Sequence, residues 1–291
     1  MAPSAPFLTY FSAEPTGMET MILYLQSVLL GIVQGITEFL PISSTGHMIL
    51  VDEFIRLEAS FKEMFFVVIQ LGSILAVLVY FHGKLFPLRA LRDARLRKST
   101  LLLWSKAAVG VLPAIVIGGL FGSRIQHFLY NTLTVAAALL AGGIALLWIE
   151  SVRRKVTVSE IDDLSFGKAL AIGGIQCLAM IPGTSRSAAT ILGSLLLGTS
   201  REVAVEYSFF LAVPTMFAAS AYSLWKGGSV LTTEQWIATG IGFLVSFLVA
   251  WGVIAFFMDY IRRKNFKVFG WYRIVLGIVL LVWFGRDFFV K

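Results

Sequence analysis

Apolar residues run in long blocks along this chain, and the polar residues gather between them. Blocks near 62–82, 101–121, 131–150, 203–226, 234–258 and 268–288 each approach the roughly 20 residues that a membrane-spanning helix needs. Small residues recur inside them, as at Gly118-Gly119 and Gly142-Gly143, which permits close helix packing. Two further blocks are interrupted. Residues 22–40 run into Pro41 and the polar stretch Ser43-Ser44-Thr45-Gly46-His47, and a short apolar piece resumes to Ile55. Residues 168–181 run into Pro182, then Gly183-Thr184-Ser185-Arg186-Ser187, then a short helix to about Leu197. Each reads as a helix, a polar loop and a half-helix. Residues 1–20 hold no Lys or Arg and are broken by Pro3, Pro6 and Pro15, so they read as a tail, not a signal peptide, ahead of one membrane domain at 21–291.

The basic residues orient these elements. The segment 83–106 carries Lys84, Arg89, Arg92, Arg95, Arg97, Lys98 and Lys106 against Asp93 alone, which predicts a cytoplasmic loop. Arg153-Arg154-Lys155 lies two spans later and is also predicted inside. Arg262-Arg263-Lys264 and Lys267 form a third basic loop. Three crossings between the second and third loops would put them on opposite sides, so one segment must return to the side it entered, and the interrupted segment 168–200 is the candidate. Each interrupted segment then precedes three spans, and the two groups run in opposite orientation. The predicted fold is an all-α integral membrane protein of six transmembrane helices plus two re-entrant hairpins. It forms two inverted repeats, about 21–150 and 168–290. Gly31 to Gln34 ahead of Pro41, and Gly174 to Gln176 ahead of Pro182, show local likeness between the halves. Such architecture places a site near the midplane, where half-helix N-termini face an anion.

Composition agrees. Hydrophobic residues make up 57% of the 291 residues and charged residues 14%, against about 25% charged in a soluble domain. That excludes a disordered chain, and the single Cys177 excludes an internal disulfide. The net charge of +7 sits mostly in short loops between spans, so it marks topology and not a nucleic-acid partner.

Candidate chemistry falls in the two polar loops. Gln34 and Glu38 are four apart and share a helix face. A carboxylate at membrane depth points to function, although a Glu near a helix end can simply reach water. Ser43, Ser44, Thr45, Gly46 and His47 follow. If a half-helix starts near Ser43 or Ser44, its free N–H groups suit a phosphate. Either serine can lie near His47, the pairing that activates a nucleophile. Serine is also an ordinary N-cap, but Glu38 and His47 beside it favour chemistry. Arg186, among Ser185, Ser187 and Thr190 after Pro182-Gly183, offers a planar fork for phosphate oxygens. His82 and His127 read as interfacial. Gln70 and Glu206 are open between the site and a neighbouring helix or helix start. No zinc spacing, Walker loop or dinucleotide fingerprint is present.

The stretch from Gln34 through Glu38, Pro41 and Ser44 to His47 resembles the first signature of bacterial undecaprenyl pyrophosphate phosphatases of the bacitracin-resistance type. Pro182-Gly183 through Ser185, Arg186 and Ser187 to Thr190 resembles the second. The likeness covers about 21–290. It implies a multi-pass protein of the bacterial plasma membrane that hydrolyses a polyprenyl pyrophosphate lipid to the monophosphate and inorganic phosphate, recycling the carrier for cell-wall synthesis. It implies Ser44 as nucleophile, with His47, Glu38 and Arg186 as catalytic or phosphate-binding partners. His47 is then the expected base, and Gln34, Ser43, Thr45, Gly46, Gly183, Ser185, Ser187 and Thr190 line the phosphate site. A divalent cation, Mg or Ca, is a further implication. Many relatives have Glu where Gln34 stands, so only Glu38 is left at the motif to hold it. A homodimer is compatible with the sequence, and membrane lipids surround it.

Three other readings compete. A secondary transporter shares broken helices and inverted repeats but needs no nucleophile beside a base. An acid-phosphatase-like lipid phosphatase would need further His and Asp residues that are absent after Arg186. A purely structural membrane protein gives no reason for two polar loops.

Overall fold

A computed structural model describes residues 17–289 except 53, 56, 88–91, 153–154 and 228–230. The predicted tail through residue 16, and Arg89, Arg153 and Arg154 of the basic loops, lie outside the described residues. The first half of the chain forms α1 (Gly17–Thr37), α2 (Ser44–Asp52), α3 (Ala59–Tyr80), α4 (His82–Leu85), α5 (Ala94–Leu129) and α6 (Thr132–Ser151). The second half forms α7 (Phe166–Gln176), α8 (Arg186–Leu196), α9 (Arg201–Gly227), α10 (Thr233–Arg263) and α11 (Lys267–Phe289). Among the described residues the regular structure is helical, apart from one isolated bridge between Val158 and Thr199.

Seven helices are long and apolar enough to cross a membrane: α1, α3, α5, α6, α9, α10 and α11. The six expected spans are all present. The seventh is α1, which begins five residues ahead of the apolar block and reaches 21 residues. The helix before the second polar loop, α7, has only 11 and continues as a 3-10 turn at Cys177–Met180. The basic segment is not a loop throughout, because α5 starts at Ala94 and carries Arg95, Arg97 and Lys98 in its first turns.

Many large apolar side chains, among them Leu120, Trp148, Trp225 and Trp283, are exposed on the protein surface. Lipid tails are as apolar as these side chains, so helix association rests on close packing and polar bonds rather than on escape from water. α1 packs on α10, and α7 packs on α5. A Cβ on Gly31 would come within 2.8 Å of the Gly242 carbonyl, and a Cβ on Gly173 would overlap the Gly110 carbonyl. Both crossings are therefore backbone against backbone. Ser73 and Ser246 share a hydrogen bond of 2.7 Å between α3 and α10. α9 is the most enclosed span, 67% buried against 28–39% for the others. It carries Phe209 and Phe210, which pack with Phe39 and Phe81 in the main core. That central helix is what backs the site.

Candidate active site

Both polar loops end in the same local structure. Proline halts each incoming helix, and a serine then adopts left-handed backbone, Ser43 at φ 74° and Ser185 at φ 70°. A non-glycine residue held there is uncommon and strained. Each serine caps the helix that follows. Ser43 Oγ accepts from the Gly46 N–H at 3.3 Å, and Ser185 Oγ accepts from the Ala188 N–H at 3.3 Å. Ser44 and Arg186 are consequently the first residues of α2 and α8. The N–H groups of a helix's first turn have no intrahelical partner, and the positive end of the helix dipole lies there.

Glu38 joins the two loops. Its Oε1 pairs with Arg186 Nη2 at 3.2 Å across 148 residues of sequence. Its Oε2 accepts from Gln34 Nε2 at 2.9 Å and from Ser44 Oγ at 3.1 Å. Glu38 is 6% exposed. The structure thus brings Gln34, Glu38, Ser44 and Arg186 into one hydrogen-bonded cluster.

Arg186 is held from behind by α9. Its Nη1 donates to the Ser208 carbonyl at 3.1 Å, and its Nη2 also reaches Met216 Sδ at 3.4 Å. The guanidinium carbon stands 5.6 Å from the centre of the Phe39 ring. Nε is buried with no hydrogen-bond partner. A buried, unpaired N–H on a cation is costly and is rarely left without a ligand to meet it.

His47 lies elsewhere than the base position expected for it. Its Nδ1 is 2.7 Å from the Ser43 carbonyl, and its Nε2 is 2.7 Å from the Tyr272 hydroxyl. A carbonyl only accepts, so Nδ1 carries the proton. The imidazole and phenol rings are nearly parallel, at 4° with centres 5.6 Å apart. The Ser44 hydroxyl donates to Glu38, so the three-residue spacing to His47 does not become a Ser–His bond.

The remaining predicted residues divide. Thr45 is half-buried in the first turn of α2. Ser187 is fully buried and donates to the Leu40 carbonyl at 2.9 Å, tying the second loop to the first. Thr190 is fully buried and bonds Ser208 Oγ at 2.6 Å. These two hydroxyls brace the loops, and Ser185 Oγ lies 3.0 Å from Ser187 Oγ. Gly183 sits at φ 90° with its carbonyl facing inward. Glu206 pairs with Lys84 at 2.8 Å, away from the cluster. Gln70 is half-buried on α3. His82 bonds the Val79 carbonyl, and His127 packs against the Phe128 ring.

Sequence reasoning missed Ser208, Met216, Tyr272 and Arg273. All four lie inside long helices far along the chain, without a local motif. Arg273 alone carried a signal: a charge within the apolar block 268–288.

The donor set around Glu38 does not fit a resident divalent cation. Both oxygens are occupied by protein donors, one of them a guanidinium. Among the described residues no group of three His, Cys, Asp or Glu side chains could hold a metal ion.

The family described as bacitracin resistance protein BacA matches residues 27–279. Undecaprenyl-diphosphatase 1 of Clostridioides difficile is 52% identical over 271 residues, covering 92% of this chain and 99% of that protein. Undecaprenyl-diphosphatase of Enterococcus faecalis is 50% identical over 264 residues, covering 89% and 96%. That of Lactiplantibacillus plantarum is 47% identical over 272 residues, covering 91% and 98%. With both polar loops inside the matched span, the chain belongs to the BacA bacitracin-resistance family.

Proposed function

We propose that this chain is an undecaprenyl-diphosphatase of the bacterial plasma membrane. It hydrolyses undecaprenyl pyrophosphate to undecaprenyl phosphate and inorganic phosphate, which returns the lipid carrier to cell-wall synthesis and confers bacitracin resistance. The observation that carries the reading is the convergence of a hydroxyl, a carboxylate and a guanidinium from two loops at two helix N-termini.

Phosphoryl transfer is mainly positioning and charge stabilisation. Arg186 swings part of its fork from Glu38 to the terminal phosphate, and its unpaired Nε adds a donor. Ser44 Oγ attacks the terminal phosphorus in line. The Oγ–P bond forms, the P–O bond to the bridging oxygen breaks, and the electron pair leaves on the lipid monophosphate. The Ser44 proton passes to Glu38, its hydrogen-bond partner. Glu38 gives that proton to the departing lipid monophosphate, and it then takes one from a water that attacks the phosphoserine. The P–Oγ bond then breaks, Ser44 recovers a proton from Glu38, and phosphate leaves. His47 holds the turn that presents Ser44, through Ser43. A Mg or Ca ion, were the substrate pyrophosphate to carry one, would neutralise charge on the phosphate oxygens without needing a cage of protein carboxylates.

The finer architecture is two inverted repeats, α1–α6 and α7–α11, each led by a re-entrant hairpin. Exchange of helix partners supports it: α1 on α10 matches α7 on α5, and α3 on α10 matches α9 on α5. Gly31 and Gln34 repeat at Gly173 and Gln176 with the same spacing. Single cysteines near 122–127 should label only from outside the cell, and those near 95–98 only from inside. Outside labelling of 95–98 in intact cells would overturn the arrangement.

Purified protein in detergent should release phosphate from the lipid pyrophosphate. Chelator should act through the substrate, so that its effect scales with substrate concentration. A transporter would release none, and that result would replace the enzyme reading by the transport one.

A further inference from the structure

Arg273 is fully buried on α11, and its hydrogen bonds go to backbone carbonyls alone. Nη1 donates to Pro41 O at 3.3 Å, in the first loop. Nη2 donates to Gly183 O at 3.1 Å and Thr184 O at 3.0 Å, in the second. Nη2 and Nε also reach Ala138 O and Leu139 O on α6, at 3.0 and 3.4 Å. Among the described residues no carboxylate pairs with it. The cradle is built for this group, because a Cβ on Gly142 would overlap the guanidinium. The neighbouring Tyr272 takes His47 of the first loop.

A cation this deeply buried without a counter-ion is expensive. A fork of five donors in a fixed plane can satisfy several carbonyls at once, which an ammonium cannot. Those carbonyls flank the two strained serines, Ser43 and Ser185, one in each loop. We propose that Arg273 is a positioning residue that locks the two loops in register, so that Ser44 and Arg186 meet one phosphate at the same time. This rests on the roles given to Ser44, Glu38 and Arg186 above. Arg273 itself touches no reacting atom. Its effect falls on turnover and not on capture of the lipid.

Arg273→Ala should lower kcat by about 100-fold, the effect of a misplacement near 1 Å, with KM changed by less than about threefold. Guanidinium ion should restore at least about tenfold of that loss, and ethylammonium should not. Gly142→Ala should lower kcat in the wild-type background and add nothing in the Arg273→Ala background, since the group it displaces is already gone. Wild-type kcat in a folded Arg273→Ala protein, or additive losses in the double variant, would overturn the proposal. If the alanine variant does not accumulate, Arg273→Lys carries the test: it keeps the charge, and wild-type turnover there overturns the proposal equally. Ser44→Ala and Arg186→Lys are run beside these. Full activity in Ser44→Ala defeats the assignment of the site, whereas losses in both with none at Arg273 defeat only the positioning role.

Discussion

Ser44→Ala is expected to reduce phosphate release by at least about 1,000-fold, close to 4 kcal/mol in the barrier. The hydroxyl that forms the covalent intermediate is removed, while the Arg186 fork and both helix N-termini stay in place. Binding of the lipid pyrophosphate should therefore change far less than turnover, the pattern of a group used only in the transition state. Ser43 is the rival, and its geometry argues against it. It is fully buried, and its oxygen is engaged in capping α2. Ser43→Ala should cost about 1 kcal/mol of local stability and a smaller part of the rate. Rapid quench with substrate labelled in the terminal phosphate, followed by peptide mapping, decides the matter. Label on Ser43 moves the nucleophile by one residue. A folded Ser44→Ala enzyme with wild-type turnover means direct attack by water.

The second large effect is expected at Glu38. Its two oxygens serve three donors: Arg186 on one, Gln34 and Ser44 on the other. Glu38→Gln keeps the shape but supplies one oxygen and one NH₂. Either the guanidinium or the Gln34–Ser44 pair then faces another donor, and Arg186 loses its counter-charge. Breaking a buried ion pair from one side costs about 3–5 kcal/mol of stability, and loss of the base costs about 100-fold or more in rate. The two losses separate by measuring turnover on the fraction that remains folded by size exclusion. Full turnover in that fraction would return the proton-accepting role to His47.

The interrupted helices were legible because proline and hydroxyl residues stand out against apolar surroundings. Pro41 and Pro182 mark both breaks, Ser44 and Arg186 follow them within four residues, and Glu38 stands just before the first. Spans such as α3, α6 and α10 follow from apolar length alone. The hydrogen-bond partners of His47 were not legible. Helical spacing from Ser44 allows a contact, but the left-handed turn at Ser43 presents its carbonyl to the imidazole first, and Tyr272 comes from 225 residues away. The length of α1 was obscured because its first turn, from Gly17, is not apolar. Arg273 stood out only as a charge in an apolar block, and its role did not, because its partners are main-chain atoms with no sequence signature.

The ion pair between Glu38 and Arg186 also has a history during synthesis. Glu38 leaves the ribosome 148 residues before its partner, which at about 5–20 residues per second is roughly 7–30 s. During that interval the nascent first half carries a carboxylate in an apolar segment with no cation to meet it, and an uncompensated charge in such surroundings is costly. On the proposed mechanism the first half supplies Ser44 and Glu38, and the second half supplies the Arg186 fork. A chain terminated before α8 lacks that fork, and it is expected to release no phosphate from the lipid pyrophosphate.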